Sequence, residues 1–485
     1  MSSIDYAEKK HAMDIGDDEE SAKTRIHERS ITRKLDLHVL PVLFLLYLFS
    51  SIDKSNISNA KLGGLEQDLG LTPVQYRWCL SIVYVGMILF EIPSIIVLRR
   101  WKANLWIGMM AIAWGGITMC MAATTNFAGL IVCRLLMGIF ESGYFPAAEY
   151  VLATWYLRRE YGRRISIFWA SNPFSYAVGG LLAFGISEIP SEKLNTWQWL
   201  FILEGIPSIL LGVMALWCLP MKPADAKFLT DDEKKLQVER FTKDQGTTNF
   251  QKKYTWKDAK ELLKDWKPYL YSYIVIIGIA TGVGFNLTLP SIVHGMGNWS
   301  PAVSQALTVP PNVCACILTV AAGYSSDRFL DRSIHAITFS SLSVVGLFLL
   351  MFLPEDQLGA RYFAVCFTSS TSNAAAAVSM SWTPSSFGTF TRRAVALAVA
   401  GTVGHLGGVI GPQFYYDGPR YLHGYTIAVC LVISKIIALA LMRFLLWRVN
   451  KKRDNMSPEE KQRIIEKHDL HETGDDRHPD FRFIL

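Results

Sequence analysis

The chain has 485 residues, of which 51% are hydrophobic and only 19% are charged. Its mean hydropathy of +0.22 is high for a soluble protein and indicates a membrane protein. The net charge of +6 does not indicate nucleic-acid binding, because many of the basic residues flank apolar segments.

Twelve apolar segments are each long enough to cross a bilayer, which takes about 20 residues of helix. They predict an all-α membrane protein with twelve transmembrane helices. The predicted spans lie at 36–53, 76–98, 104–123, 127–150, 164–187, 197–219, 268–289, 303–325, 333–353, 358–380, 393–416 and 421–448.

A polar stretch at 220–267 divides the spans into two sets of six. We therefore predict a cytoplasmic tail at 1–35, six-helix bundles at 36–219 and 268–448 joined by a cytoplasmic linker, and a cytoplasmic tail at 449–485. The last tail begins with a helix-start pattern and is expected to continue as a flexible segment.

A faint internal repeat relates the two halves. The sequence RRISIFWASNPFSYAVGG from Arg163 resembles RRAVALAVAGTVGHLGG from Arg392, which gives Tyr176 and His405 equivalent positions. Two related halves with a binding site between them are typical of transporters.

Basic residues are distributed unequally between the loops on the two sides of the predicted membrane domain. If the N-terminus is cytoplasmic, the short inner loops hold Arg99, Arg100, Lys102, Arg158, Arg159, Arg163, Arg164, Arg328, Arg332, Arg392 and Arg393, and the short outer loops hold Lys61, Arg77, Lys193, Arg361 and Arg420. An excess of Lys and Arg marks cytoplasmic loops, so both termini are expected in the cytoplasm.

The sequence does not favour an enzyme. It contains no nucleophile–base pair, metal-ligand cluster or nucleotide-binding loop, and we predict neither a cofactor nor a metal. All eight cysteines lie in apolar segments without a neighbouring histidine, so we interpret them as small apolar residues rather than disulfides or metal ligands.

Charged residues at three places in the predicted spans are candidates for a functional site. Asp53 and Lys54 lie at the end of the first span, Glu91 lies near the inner end of the second, and Arg134 and Glu141 lie in the fourth. Each such residue costs roughly 2.5–3.5 kcal/mol on membrane-insertion scales and therefore tends to mark a functional site.

A fixed cation beside titratable acids is a device that can couple protons to an anion. Arg134 keeps its charge at any usable pH, whereas a carboxyl group can bind a proton. Three alternatives remain open from the residues alone. Arg134 and Glu141 can form a packing clamp, Asp53 can lie solvated in the outer headgroup layer, and Glu91 and Glu204 can be structural.

Several motifs, in the same order along 36–450, carry a family resemblance. They are DKSNISNAKLGGLEQDL, RLLMGIFESGYFPA, TWQWLFILEGIPS, GYSSDRFLDR and YYDGPRYLHGY, with DFRFIL at the end of the chain. Together they resemble the major facilitator superfamily, in particular the anion:cation symporter family and its fungal allantoate permease-like transporters. The resemblance implies twelve helices in two pseudo-symmetric six-helix halves.

The resemblance also implies roles for individual residues. Asp53 and Glu141 correspond to proton-binding sites, and Arg134 to the charge that links protons to the substrate. The residue after the aspartate holds the substrate anion and is usually arginine in the family, but here it is Lys54. Lysine is a point charge without the planar fork of arginine, so recognition of a planar carboxylate is weaker at this position.

Four further residues are candidates for substrate contact. A tyrosine of the second span contributes to the site in similar carriers, which implies a role for Tyr84. Tyr176, Asn373 and His405 are polar or amphipathic residues in apolar spans, and His405 replaces an asparagine common in relatives. Hydrogen bonding between helices explains such residues equally well.

These features predict a secondary transporter that moves a small organic anion together with protons by alternating access. The expected substrate is a carboxylated nutrient, such as a ureide acid or a vitamin-like monocarboxylate. The expected partners are this substrate, protons and the lipid bilayer, with no nucleic acid, and by resemblance the protein is a plasma-membrane monomer. Export of a self-made metabolite and nutrient sensing without transport remain alternatives.

Overall fold

The computed structural model describes residues 27–98, 100–189, 193–220, 222–249, 261–329, 331–388, 390–468 and 475–485. Within these ranges, twelve helices occupy the positions of the predicted spans. They are α1 (His27–Leu62), α2 (Pro73–Leu98), α3 (Ala103–Met121), α4 (Phe127–Trp155), α5 (Arg158–Ser187), α6 (Thr196–Cys218), α7 (Lys267–His294), α8 (Pro301–Phe329), α9 (Arg332–Phe352), α10 (Leu358–Ser385), α11 (Phe390–Ile410) and α12 (Leu422–Asp454).

Ten of these twelve helices are long and apolar enough to cross a membrane by length and composition alone. The other two, α5 and α10, carry several Ser, Thr and Asn residues in their central turns. Such residues satisfy their hydrogen-bonding groups within the helix or against a neighbouring helix, so they are compatible with a span inside a bundle.

The helices pack in the same pattern in each half. In the first half, α1 contacts α5 and α6, α2 contacts α4, and α3 contacts α4 and α6. In the second half, α7 contacts α11 and α12, α8 contacts α10, and α9 contacts α10 and α12. Each helix therefore has a counterpart six helices later, which confirms the two pseudo-symmetric halves. The repeat-bearing helices α5 and α11 are counterparts.

Helix α1 extends beyond both predicted ends of the first span. It begins at His27, has a turn at Val39, and continues past Asp53 to Leu62. The polar residues that follow Asp53 do not mark a membrane boundary, because Asn56 and Asn59 are buried between helices. Asp53 is 0% exposed, so it is buried inside the bundle and does not lie in a solvated layer.

The linker and the segments near both chain ends lie at one face of the bundle, which we call the linker face. Arg240, in the linker helix Asp231–Asn249, pairs with Glu160 at the start of α5 at 2.6 Å. Lys34, near the start of α1, pairs with Glu233 of the same linker helix at 2.8 Å. The other end of the bundle is the opposite face.

The last residues of the chain pack against the C-terminal half at the linker face. Asp476 accepts hydrogen bonds from Lys267 Nζ at 2.6 Å and Arg392 Nε at 2.8 Å. The backbone of Phe483 donates to Asn450 Oδ1 at 3.0 Å. The expectation of a flexible tail is therefore wrong for 475–485, although the helix predicted before it is present at Pro458–His468. Residues 469–474 lie outside the described residues.

The charge of Asp476 persists at physiological pH. Burial raises the pKa of this carboxyl, but Lys267 and Arg392 outweigh burial, so the pKa lies below its ordinary value. A depressed carboxyl pKa stabilises the docked segment above the ordinary value, and this stabilisation is lost only as the pH falls through the lower folded value. The docking is therefore insensitive to changes around neutral pH.

Asp476→Ala is expected to release the terminal segment. Removing one partner of a buried ion pair costs roughly 3–5 kcal/mol, which corresponds to roughly two to four orders of magnitude in opening. Hydrogen exchange at the Phe483 amide should accelerate by this factor. The matched control is Asp480→Ala, because Asp480 also pairs with a lysine at 2.8 Å but is 53% exposed. Equal acceleration in both variants would contradict the prediction.

Candidate functional site

Asp53 and Lys54 are adjacent in sequence but point to different neighbours. Consecutive residues on a helix are separated by about 100° around its axis. Asp53 Oδ2 accepts a hydrogen bond from Ser208 of α6 at 2.6 Å. Lys54 reaches α4, where its ammonium lies 2.7 Å from Oε1 of Glu141. The two residues therefore lie at two separate sites. Lys54 faces α4, whereas the Asp53 side chain lies in the interface between α1 and α6.

The ion pair between Lys54 and Glu141 lies inside the first half. The Lys54 side chain is 18% exposed, whereas the Glu141 side chain is only 2% exposed. The hydroxyl of Ser50, one turn before Lys54, also donates to Glu141. The Lys54 ammonium lies 5.9 Å from the ring centre of Tyr47. Because the lysine is the more accessible partner, a ligand can reach the cation without first reaching the carboxylate.

Apart from a contact with Met137 Sδ in its own helix, Arg134 of α4 forms its hydrogen bonds with the backbone of two neighbouring helices. It donates to the carbonyl oxygens of Cys79 at 3.1 Å, Asp53 at 3.4 Å and Lys54 at 3.1 Å. None of its hydrogen bonds in the described chain is to a carboxylate. The sequence suggested a pairing of Arg134 with the acids, but in this conformation Lys54 pairs with Glu141 and Arg134 joins α1, α2 and α4.

Another group of polar contacts lies between the two halves. Glu91 of α2 accepts a hydrogen bond from Thr402 of α11 at 2.8 Å, and its Oε2 lies 3.6 Å from Nε2 of His405. The rings of His405 and Tyr84 are 6.1 Å apart. His405 is also within electrostatic range of Lys54. His405 and Tyr84 therefore meet between the halves, close to the Lys54–Glu141 pair.

Tyr176 and Asn373 are placed differently from each other. Tyr176 is half-buried on α5, one turn after Asn172, whose amide donates to Ser51 of α1 at 3.2 Å. This spacing places Tyr176 near the side of α5 that packs on α1. The Asn373 amide donates to the carbonyl oxygen of Ser369 in its own helix at 2.8 Å, and no described hydrogen bond joins it to the Lys54–Glu141 pair.

Two buried polar residues carry no role in the sequence-based prediction. Ser50 precedes Lys54 by one helical turn, and this spacing is the signal that could have placed it beside Glu141. Lys435 lies in the middle of α12, is 3% exposed, and has no hydrogen bond or ion pair in the described chain. A lone lysine in an apolar run is a signal that the sequence itself displays.

The two halves are held together closely toward the opposite face. Ser81 of α2 donates to the carbonyl oxygen of Val409 at 2.7 Å and accepts from Gln413 at 2.9 Å. Gly408 of α11 has no space for a side chain, because a Cβ there would overlap the ring of Tyr84. These contacts close the interface of α2 and α11 at the opposite face.

Twelve helices in two pseudo-symmetric halves, with buried charges at and near their interface, define a membrane transporter. Within the described residues, no group of three or more His, Cys, Asp or Glu side chains is arranged to hold a metal ion. The family model of the Major Facilitator Superfamily matches residues 43–412, and the chain belongs to this superfamily.

Fungal relatives match over most of the chain. It is 32% identical over 471 residues to the MFS-type transporter cnsO of Penicillium expansum, covering 94% of this chain and 90% of that relative. It is 38% identical over 342 residues to the MFS-type transporter efuF of Hormonema carpetanum, covering 70% and 68%. It is 32% identical over 348 residues to the major facilitator-type transporter hxnP of Emericella nidulans, covering 70% and 69%.

Solved structures share the fold at low sequence identity. The crystal structure of a D-xylose-proton symporter has a TM-score of 0.65 at 15% identity, covering 83% of this chain and 97% of that one. An inward-facing bacterial homolog of the human lysosomal transporter Spinster has a TM-score of 0.63 at 16% identity, covering 83% and 95%. At these identities the likeness shows the fold alone.

Proposed function

We propose that this protein is a proton-coupled transporter of a small organic anion that works by alternating access. The observation that carries the proposal is the ion pair of Lys54 and Glu141, 2.7 Å apart within the membrane domain. A carboxylate can be neutralised by a proton, whereas the more exposed lysine offers a positive charge to an anion.

The coupling follows from the cost of an unpaired buried charge. When Glu141 is ionised, it neutralises Lys54, and an additional anion gains little by approaching. When Glu141 binds a proton, Lys54 loses its counter-ion, and a buried cation without a partner costs several kcal/mol. A substrate carboxylate then restores neutrality. Proton binding and anion binding therefore favour each other, as linkage requires.

In this proposal, the other predicted site residues hold Lys54 in place or contact the substrate. Arg134 fixes the backbone of α1 beside Lys54, so the ammonium is held in place while Glu141 changes its protonation state. Tyr84, Tyr176 and His405 are proposed to contact the uncharged part of the substrate. Asn373 is proposed to contribute only in another conformation, because its amide now bonds to its own helix.

The direction and topology are also part of the proposal. The asymmetry of the basic loops supports a cytoplasmic linker face, with both termini in the cytoplasm. The contacts of Ser81 with Val409 and Gln413 then represent a closed outer side, as in an inward-facing state. We propose uptake of a carboxylated nutrient, with ureide acids and vitamin-like monocarboxylates as the first candidates, by a monomer in the plasma membrane. By resemblance, this is the behaviour of the anion:cation symporter family.

The test is uptake by whole cells of a panel of radiolabelled carboxylates, at acidic and neutral external pH, with and without an uncoupler. We expect acid-stimulated, uncoupler-sensitive accumulation of one compound. Asp53→Asn should abolish the accumulation, because the buried carboxyl can no longer exchange a proton. The control is Asp356→Asn, which changes an exposed loop aspartate. Unchanged pH-driven accumulation in Asp53→Asn would refute the role of Asp53. If cells that express the protein retain less of a preloaded metabolite than cells that do not, the result would favour export.

A further inference from the structure

Helices α1 and α4 meet along a seam of contacts, and Ser50 has a fixed place in this seam. On one side of Ser50, the Tyr144 hydroxyl donates to the carbonyl oxygen of Leu43 at 2.5 Å. On the other side, Arg134 donates to the carbonyl oxygen of Lys54 at 3.1 Å. Residues separated by four or seven positions share a helix face. Ser50, which is 1% exposed, therefore lies between these two contacts and faces α4.

Glu141 has its partners on only one of its two carboxyl oxygens. Oε1 accepts a hydrogen bond from the Ser50 hydroxyl and lies 2.7 Å from the Lys54 ammonium. Oε2 is buried and has no hydrogen-bond partner in the described chain. Oε2 is therefore the oxygen that can take a proton without displacing a donor.

Other groups that face Glu141 act on it through space. Helix α3 packs on α4 but contributes no charge, because Ala103–Met121 contains no charged residue. Among the described residues, Ser50 and Lys54 are the two that contact the carboxyl group. The titratable and charged groups within electrostatic range, besides Lys54, are Tyr47 and Asp53 on α1, Tyr84 on α2, Arg134 and Tyr144 on α4, and Tyr176 on α5.

The two partners of Glu141 differ in what they do when a substrate anion arrives. In the proposed exchange, Lys54 leaves Glu141 for the anion, whereas the Ser50 hydroxyl can donate to the carboxyl group in both of its protonation states. The bond to the ionised form is the stronger one, because a charged acceptor roughly doubles the strength of a hydrogen bond. We propose that Ser50 is a positioning residue that holds Glu141 in the seam while the substrate engages Lys54, and that it sets the pH at which the exchange occurs.

This inference rests on the proton coupling proposed above and names the residue that tunes it. Without the Ser50 hydroxyl, the ionised form of Glu141 loses more stabilisation than the protonated form. Glu141 then binds its proton at a lower proton concentration, so Lys54 becomes available to the substrate at a higher pH. The difference between a hydrogen bond to a charged acceptor and one to a neutral acceptor corresponds to roughly tenfold in proton affinity, or one pH unit.

The experiment is infrared difference spectroscopy of the purified full-length protein in lipid, titrated from alkaline to acidic pH without substrate. The probe is the proton, followed through the carbonyl stretching band of protonated carboxyl groups, and Glu141→Gln identifies the contribution of Glu141 to this band. In Ser50→Ala, the midpoint of that contribution is expected about one pH unit above the wild-type midpoint. Ser50→Thr retains the hydroxyl and should restore the wild-type midpoint.

The matched control is Ser51→Ala. Ser51 is also 1% exposed on α1, but its hydroxyl oxygen accepts a hydrogen bond from the Asn172 amide of α5 at 3.2 Å. This variant also removes a buried hydroxyl from α1, and it should leave the Glu141 midpoint unchanged. A role of Ser50 in packing alone would leave the midpoint unchanged in both alanine variants.

An unshifted midpoint in folded Ser50→Ala would overturn the inference, and so would equal shifts in Ser50→Ala and Ser51→Ala. If Ser50→Ala does not fold, Ser50→Cys replaces it, because a thiol is a weaker donor than a hydroxyl. An unshifted midpoint in Ser50→Cys would then overturn the inference. A band that Glu141→Gln leaves unchanged would contradict the proton site at Glu141 and the role of Ser50 together.

Uptake separates a failure of this inference from a failure of the proposed function. With a transported carboxylate, Ser50→Ala should lower KM at neutral external pH, because Lys54 is available more often. It should also lower kcat, because Glu141 releases its proton less readily inside the cell. Wild-type uptake that ignores the proton gradient contradicts the proposed function, even where the infrared midpoint shifts. Proton-coupled uptake with an unshifted midpoint in Ser50→Ala contradicts only the role of Ser50.

Discussion

Lys54→Met and Glu141→Gln are each expected to abolish substrate accumulation and to destabilise the protein, whereas the double variant should recover stability without recovering transport. Each single change leaves one member of a buried ion pair uncompensated, at a cost of roughly 3–5 kcal/mol. Replacing both members removes this cost, because no unpaired charge remains. The double variant nevertheless lacks both the cation for the substrate and the acid for the proton.

The measurement is a double-mutant cycle of thermal stability on purified protein, combined with uptake in cells. A coupling free energy of several kcal/mol between positions 54 and 141 is expected from their 2.7 Å contact. The pair of Lys61 and Glu66, 3.3 Å apart and more exposed, is the control and should show about 1 kcal/mol or less. Transport by the double variant at the wild-type rate would show that the ion pair is only a packing element.

The helices could be predicted because apolar length is a local property. Every span corresponds to a run of residues that can be read without knowledge of its neighbours. Even the polar helices α5 and α10 contain enough apolar residues between their Ser and Asn positions to mark a span. The end of α1 could not be found in this way, because Asn56 and Asn59 are kept from lipid by neighbouring helices and not by a membrane boundary.

The partners of the buried charges could not be predicted from the spacing of residues. Arg134 and Glu141 share a helix face, which suggests a pairing. In the structure, Glu141 instead pairs with Lys54, and Arg134 donates to three backbone carbonyl oxygens. The choice depends on how closely α1 approaches α4, and this distance is set by packing in three dimensions. The direction of Asp53 toward Ser208 depends in the same way on the position of α6.

The sequence contains a signal that the terminal segment docks, although the polar composition of the segment conceals it. The segment is polar enough to resemble a solvated tail, yet it ends in DFRFIL, which includes Phe481 and Phe483. Phe483 is 5% exposed and packs with the core of the second half. Aromatic residues near the end of a charged segment therefore predict that the segment docks on the protein, because they bury large apolar areas.

Arg134→Lys is expected to destabilise the protein and to abolish transport, although it preserves the positive charge. The guanidinium donates to three carbonyl oxygens on two helices, and one compact ammonium cannot reproduce this planar arrangement. Each carbonyl left without its charged donor costs about 1.5–3 kcal/mol. The measurement is thermal unfolding of purified protein, followed by uptake at a temperature where the variant remains folded.

Arg361→Lys is the matched control, because Arg361 of α10 is 5% exposed and its guanidinium forms no hydrogen bond in the described chain. It should change stability much less than Arg134→Lys. The comparison separates two roles for the same cation. If charge alone matters, Arg134→Lys retains acid-stimulated uptake, and the carbonyl contacts are incidental. If the fork matters, the loss of stability and the loss of transport appear together, since the helix that presents Lys54 to the substrate is then no longer held against α2 and α4.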